Sequence, residues 1–334
     1  MKNIFVTGAT GFVGKYLVSK LLENPNNRVF LLIRSKKNLS AVDRCKKLFA
    51  ANSDLILNRI IPIEGELTEP MFNLNQDAFE ELASKINTIY HTAATIKFNL
   101  PYKTAHSINV EGTKTCMLLA KKAGEHFERF HHISTAYVSR VMEGKERDFN
   151  NTYEQTKFEA ELLFKDIKYT IYRPSIISGS SETGEISSSS VIYKFIILLS
   201  RQILSALPVD NSFSINIIPV NNFVDKMLAI GEDSISIGKT YQITHQENTN
   251  FKDLLIHASN LLKVPPPKFI PADQTSAIPL KVMKHIDVFM PYIIQSQQFK
   301  LDQHELNSAA KIPSDNVITT FNNVIENYLA FQRN

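Results

Sequence analysis

The chain has 334 residues, 43% of them hydrophobic and 21% charged, ordinary proportions for a protein with one large domain or two and a substantial core. Its 37 basic and 33 acidic side chains leave a net charge of +4, too balanced and too scattered for a nucleic-acid footprint but compatible with anionic small ligands. Cys45 and Cys116 stand far apart, with no C-x-x-C and no His spacing typical of zinc, so neither a disulfide framework nor a metal centre is expected.

The first predicted elements are a strand, a tight turn and a helix. Ile4, Phe5 and Val6 form a short apolar run that enters Gly8, Gly11 and Gly14, and Tyr16, Leu17, Leu21 and Leu22 follow at helical spacing. Backbone without Cβ atoms can approach a phosphate closely, and the N–H groups and positive dipole end of the next helix then face the anion. A dinucleotide is the expected guest. Lys2 leads directly into this turn, and no uninterrupted apolar run reaches the ~18 residues a membrane helix needs. A cytoplasmic protein without a transmembrane segment is expected.

Residues 28–34 form a continuous apolar run between two arginines, the pattern of a buried parallel strand. About 20 positions beyond the glycines an acidic residue receives the ribose 2′-hydroxyl of NAD, whereas a basic one accommodates the 2′-phosphate of NADP. Arg34 occupies that position, followed by Lys36 and Lys37, which points to NADP. Helical patterns at 39–51 and around Phe79 and Leu82 flank an apolar stretch at 60–63, and residues 86–94 read as a strand ending in small side chains. Ala93 and Ala94 either leave room for a ligand at the strand's carboxyl end or serve close packing. A helix over 107–123 precedes the strand pattern of 130–137, which opens into the hydroxyls of Ser134 and Thr135. Strands and helices alternating in this way imply a parallel sheet covered on both faces.

Tyr153 and Lys157 lie four apart in a segment rich in helix formers, a spacing that puts phenol and ammonium on one face. Thr152 and Gln155 have the form of a capping box, which places Tyr153 in the first turn. An ammonium beside the phenol is expected to lower its pKa and suit it to proton transfer.

A further strand at 169–175 is followed by a Gly/Ser-rich loop at 179–190. Residues 191–207 are apolar but broken by Lys194 and Arg201, an amphipathic helix that packs on a core or lines an apolar pocket. Short strands at 215–220 and 240–244 flank a helix at 223–231, and the helical segments beyond are separated by Pro265 to Pro267, Pro279, Pro291 and Pro313. No internal repeat is present.

The phrases Thr7-Gly-Ala-Thr-Gly-Phe-Val-Gly14, His91-Thr-Ala-Ala94, Asn109-Val-Glu-Gly-Thr113, Tyr153-x-x-x-Lys157 and Tyr172-Arg-Pro-Ser175 together resemble an extended short-chain dehydrogenase/reductase. The wording of Leu32-Ile-Arg34, Glu64-Gly-Glu-Leu-Thr-Glu-Pro70, Ile133-Ser-Thr-Ala-Tyr-Val138 and Ile171 to Gly179 is most similar to the thioester reductase and fatty acyl-CoA reductase (male-sterility) branch. The resemblance implies an α/β chain: a Rossmann-type doubly wound parallel sheet with a smaller, mostly helical C-terminal substrate domain. Residues 1–180, with 213–245 returning to them, would bind NADP, and 181–212 with 246–334 would bind substrate.

The implied reaction is hydride transfer from NADPH to a lipophilic carbonyl, best an acyl thioester on coenzyme A or a carrier protein, giving aldehyde or alcohol. Tyr153 would donate the proton. Lys157 would hold the nicotinamide ribose, and Thr135, or Ser134 if the alignment slips by one, would bond the substrate oxygen. The cofactor would lie along Gly8, Thr10, Gly11, Phe12, Val13, Gly14, Arg34, Lys36, Glu66, Leu67, Thr92, Ala93, Ala94, Lys157, Pro174, Ser175 and Ile176, with Arg34 on the 2′-phosphate. The chain departs from the family at Glu66 and Asn222, where Asp is usual. Rival readings are a hydroxysteroid- or dihydroflavonol-type dehydrogenase, a sugar-nucleotide epimerase, or a non-catalytic NADP-binding sensor. The scarcity of arginine beyond residue 180, where only Arg201 and Arg333 occur, tells against a sugar diphosphate. Monomer and homodimer both remain open.

Overall fold

The computed structural model describes residues 1–50, 58–140, 149–188, 190–271, 273–274, 278–293, 312 and 314–333. Ala51, Ser189, Ile294 and Pro313, which fall within or beside elements expected from the sequence, lie outside them. The strands in chain order are β1 (Lys2–Thr7), β2 (Asn27–Ile33), β3 (Ile60–Glu64), β4 (Thr88–His91), β5 (Arg129–Ile133), β6 (Tyr169–Pro174), β7 (Ile176–Ile177), β8 (Ala206–Pro208), β9 (Ser214–Ile215), β10 (Ile217–Ile218), β11 (Lys239–Ile243), β12 (Thr249–Asn250) and β13 (Lys268–Ile270). Seven of them form one sheet in the order β11-β6-β5-β4-β1-β2-β3. The pairs β1/β2, β1/β4, β2/β3, β4/β5 and β5/β6 are parallel. The strand order reverses between β1 and β4, so the crevice where such sheets bind ligands opens beyond the ends of these two strands.

The chain divides into two compact units, Met1–Arg173 with Met227–Tyr241 and Pro174–Lys226 with Gln242–Asn334. In the first, β4 and β5 are buried along their whole length, as a parallel sheet covered by helices requires. Phe5, Phe72, Phe79, Ile86, Ile89 and Phe130 lie in one hydrophobic cluster. Arg129 is buried and donates to the carbonyls of Gly231 (2.7 Å) and Asp233 (3.0 Å) and to Ser236 Oγ (2.8 Å). These contacts satisfy carbonyls at the end of the Val220–Glu232 helix.

In the second unit the apolar stretch beginning at residue 191 forms a helix only over Val191–Ser200. Leu204, Ala206 and Leu207 are buried outside it. The helix packs rather than floats: Phe195 meets Phe251 edge to face at 5.3 Å. The Val317–Arg333 helix is tied to the loop after β7, where Asn323 Nδ2 donates to the Ser181 carbonyl at 2.6 Å. Among the described residues no helix is long and apolar enough to cross a membrane.

One contact fixes the glycine turn. A Cβ on Gly14 would stand 2.2 Å from the Gly8 carbonyl oxygen, whereas on Gly11 the nearest atom would be 3.1 Å away. Overpacking of this kind costs about 1–3 kcal/mol. We therefore expect Gly14→Ala to lower the unfolding free energy by about that amount and Gly11→Ala by clearly less, as read from urea midpoints. Equal effects would show that the Gly8–Gly14 approach does not hold the turn.

Candidate active site

Gly8 follows β1 with φ +75°, a left-handed conformation that suits glycine. Its carbonyl accepts from Gly11 N at 2.8 Å, and Gly11 starts the helix Phe12–Glu23. That helix has no side chain bonded to its N-terminal amides and no acid in its first turn. Thr10 and Gly11 are exposed at the tip, Phe12 and Val13 half-buried, and Gly14 buried against Gly8. The chain leaving β4 passes directly behind the turn, since a Cβ on Gly8 would lie 2.5 Å from Thr92 Oγ1 and 2.6 Å from Ala93 N. Thr92 Oγ1 in turn donates to the Thr7 carbonyl at 2.7 Å. Thr92 and Ala93 thus pack against the glycine turn while remaining, like Ala94 after them, only half-buried.

Arg34 lies just beyond β2, exposed, with its guanidinium 3.5 Å from the Glu66 carboxylate. Arg44 donates to the Arg34 carbonyl, which brings a second guanidinium to the same corner. Lys36 is exposed in a tight turn closed on Leu39. Leu67 is buried at the start of the Gly112–Ala123 helix, where a Cβ on Gly112 would come within 2.7 Å of its Cγ.

The hydroxyl and lysine candidates meet beyond β5. Ser134 and Thr135 are both buried, but they behave differently. The Thr135 side chain hydrogen-bonds Tyr153, whereas Ser134 Oγ has no hydrogen-bond partner. Tyr153 and Lys157 share the Thr152–Glu161 helix. Its cap is Asn151, which accepts from Glu154 N at 3.0 Å, and not the expected Thr152. The Thr152 hydroxyl is engaged elsewhere, donating to the Leu100 carbonyl at 2.9 Å.

Lys157 is 2% exposed and donates to the Ile133 carbonyl at 2.5 Å. Burial pushes its ammonium down to about 8, against an opposing pull from the Glu161 carboxylate. The expected lowering of the Tyr153 pKa is not what the structure shows. Loss of water raises the phenol to about 12, outweighing the Thr135 hydrogen bond that lowers it, and Glu154 raises it further. The physical reason is burial: withdrawing the phenolate from water is the largest effect on this group, and Lys157 is not among those that shift it.

Several residues absent from the sequence expectation complete the site. Asn109 accepts from Thr95 N at 2.8 Å and donates to Thr156 Oγ1 at 2.9 Å, joining the chain after β4 to the Tyr153 helix. His91 bridges Thr7 Oγ1 (2.7 Å) and Thr113 Oγ1 (3.0 Å), and burial together with Lys157 pushes it down to about 3. Arg173 holds Glu161 in a bidentate pair, Nε to Oε1 at 3.0 Å and Nη2 to Oε2 at 2.5 Å. Asn109 and Arg173 stand inside phrases that carry the family resemblance, but nothing in their spacing discloses a partner 47 or 12 residues away. Pro174, Ser175 and Ile176 belong to the second unit, where Ser175 N donates to the Ile243 carbonyl at 3.3 Å and Ser175 Oγ is buried without a partner. Among the described residues no group of His, Cys, Asp or Glu is arranged to hold a metal ion.

Residues 6–227 match the family described as male sterility protein, well over half of the chain. The chain belongs to this family. Fatty acyl-CoA reductase 1 of Mus musculus is 29% identical over 279 residues, covering 68% of this chain and 54% of that protein. A linear gramicidin synthase of Brevibacillus parabrevis is 27% identical over 276 residues, covering 76% of this chain and 5% of that protein. The chain thus spans about half, or much less, of the length of these relatives. The terminal R domain from the myxalamid PKS-NRPS biosynthetic pathway has the same fold, with a TM-score of 0.82 at 21% identity over 100% of this chain and 91% of that one. UDP-glucose 4-epimerase of Thermotoga maritima shares it at 0.68 and 16%, covering 99% of each chain. This male sterility family member therefore has the extended short-chain dehydrogenase/reductase fold.

The buried lysine has a consequence for stability. Its folded pKa of about 8 lies below its ordinary 10.5, so between these values the unfolded chain holds the proton more tightly and stability rises with pH. We expect the native chain to gain up to ~3 kcal/mol relative to Lys157→Met as pH rises from 8 towards 10.5. Urea midpoints of the two proteins across that range measure it, and a flat or falling difference would contradict the burial of a charged lysine.

Proposed function

We propose that this chain is an NADPH-dependent reductase that delivers hydride to the carbonyl of a lipophilic acyl thioester, carried by coenzyme A or a carrier protein. The observation that carries the reading is the Thr135–Tyr153 hydrogen bond with Lys157 one helical turn further on. Male sterility family membership and the likeness to fatty acyl-CoA reductases and to a terminal R domain support it.

The residues present fit NADPH. The uncapped Phe12–Glu23 helix offers free amides to a diphosphate, and the Gly8–Gly14 approach leaves no side chain in the way. Gly8, Thr10, Gly11, Phe12, Val13 and Gly14 would hold the diphosphate. Arg34 and Lys36 would face the 2′-phosphate, with Glu66 and Leu67 towards the adenine. Thr92, Ala93 and Ala94 would line the crevice beyond β4. When bound, NADPH supplies the hydride.

The chain's own groups do the rest. Tyr153, held protonated by its raised pKa, donates its proton to the carbonyl oxygen as negative charge develops there. Thr135 orients the phenol and offers its hydroxyl to the same oxygen. Ser134, its neighbour, keeps a free hydroxyl as the alternative. The Lys157 ammonium, protonated below about 8, bonds the ribose and favours the charge that Tyr153 carries once its proton has gone. A thioester reduced in this way loses its thiol and leaves an aldehyde, which a second turnover would take to the alcohol.

Two measurements test the proposal. With NADPH and a panel of acyl-CoA, acyl-carrier, aldehyde and sterol substrates, Tyr153→Phe should lower kcat by about 10²- to 10⁴-fold while NADPH still binds. Undiminished turnover in Tyr153→Phe would remove the phenol from the chemistry. Arg34→Ala should weaken NADPH binding about tenfold and leave NADH binding unchanged, since an exposed charge-assisted contact is worth little more. Tighter binding of NADH than NADPH in the native chain would sink the cofactor assignment.

A further inference from the structure

The segment between β4 and the helix Tyr102–His106 is fastened to the Tyr153 helix at several points. Asn109 binds both the Thr95 backbone and Thr156 Oγ1. Thr152 Oγ1 donates to the Leu100 carbonyl, with the Phe98 carbonyl 3.5 Å away. Tyr102 OH reaches the Glu159 carboxylate at 3.1 and 3.2 Å. Between these anchors the Phe98 ring stacks on the Tyr153 ring, with centroids 5.7 Å apart and planes 27° from parallel.

From this arrangement we infer that Phe98 is a positioning residue for the reaction of Tyr153. Its ring covers one face of the phenol, fixes its plane and keeps water from that face, while Thr135 sets the direction of the hydroxyl. The two constraints act on different degrees of freedom. A hydrogen bond to the hydroxyl leaves the ring free to rotate about its long axis, and a stacked neighbour restricts that rotation. Phe98 is half-buried and carries no polar atom on its side chain, so it takes no part in proton transfer. The loop's own anchors hold Phe98 in place whether or not Tyr153 is present.

This inference rests on the reductase reading for its kinetic consequence but not for its physical one. An aromatic pair is worth enough beyond the area it covers to change a rate by roughly 2- to 10-fold. Phe98→Leu and Phe98→Ala should therefore lower kcat by about that factor, with KM for NADPH and for the thioester unchanged, and Phe98→Tyr should restore it. The second readout needs no substrate. Tyrosinate absorbance of each protein minus that of its Tyr153→Phe counterpart reports the ionisation of this one phenol. The charged group acting on it is Glu154, which remains in the Phe98 variants, and Lys157, one turn on, has lost its proton before the phenol ionises. Loss of the Phe98 ring should move the ionisation down from its raised position towards the ordinary value of 10.

Native kcat in Phe98→Leu would overturn the inference, as would an unmoved phenol ionisation in Phe98→Ala. A defect confined to KM would do the same by assigning Phe98 to substrate binding. If the native chain reduces no thioester while the ionisation still moves, the reductase reading falls and the stacking role stands.

Discussion

A lysine ammonium almost wholly withdrawn from water is the constraint around which the site is arranged. Desolvation of such a charge is costly unless hydrogen bonds and opposite charges compensate it. The compensation here is local and directional. The Ile133 carbonyl, at the end of β5, takes one proton at 2.5 Å, and the Glu161 carboxylate one turn along the same helix raises the ammonium's pKa. Glu161 is itself only 6% exposed and is held by the Arg173 fork from the end of β6. Two adjacent strands therefore fix the position of one helix, and that helix carries Tyr153.

A chain of hydrogen bonds links the glycine turn to the same helix. Thr7 ends β1 and shares a hydrogen bond with His91 at the end of β4, whose other ring nitrogen meets Thr113. Thr113 donates to the Asn109 carbonyl at 2.6 Å, and the Asn109 side chain reaches Thr156 beside Lys157. His91 and His132 both face the Lys157 charge and are held neutral by burial and by that charge. A neutral imidazole accepts at one nitrogen and donates at the other, so His91 can bridge two hydroxyls without adding a second cation to a buried site.

What the sequence disclosed and what it withheld separate along physical lines. Gly8, Gly11 and Gly14 were legible because a turn that must avoid Cβ atoms is a local demand. Tyr153 and Lys157 share one helix as their spacing implied, and their assignment to the chemistry came with the family resemblance. The parallel sheet followed from the alternation of apolar runs with helical patterns, and its doubly wound form came with the family resemblance. The direction of the Tyr153 pKa shift was not legible, because it depends on how deeply the folded chain buries the phenol. Nor was the helix cap, since Thr152 has the chemistry of a cap but is drawn off by the Leu100 carbonyl, leaving the role to Asn151. Asn109 and Phe98 act through loop packing, which no periodicity encodes. The apolar stretch at 191–207 ended as a helix early, after Ser200, because apolar side chains fill a core as well from a short strand, here Ala206–Pro208, as from a helix.

Fold alone does not separate reduction from the other chemistries of this architecture, since a UDP-glucose 4-epimerase shares it over nearly its whole length. The protonation state of the phenol bears on the choice. A dehydrogenase working towards the ketone needs a base, and a base that must ionise near neutrality needs its pKa drawn down. Burial draws the Tyr153 phenol the other way, to about 12, where it stays protonated at any physiological pH. A group held in its acid form suits the step in which a carbonyl oxygen must receive a proton as hydride arrives. Retention of the proton on Tyr153 is consistent with carbonyl reduction, and the scarcity of arginine beyond residue 180 tells against a sugar diphosphate.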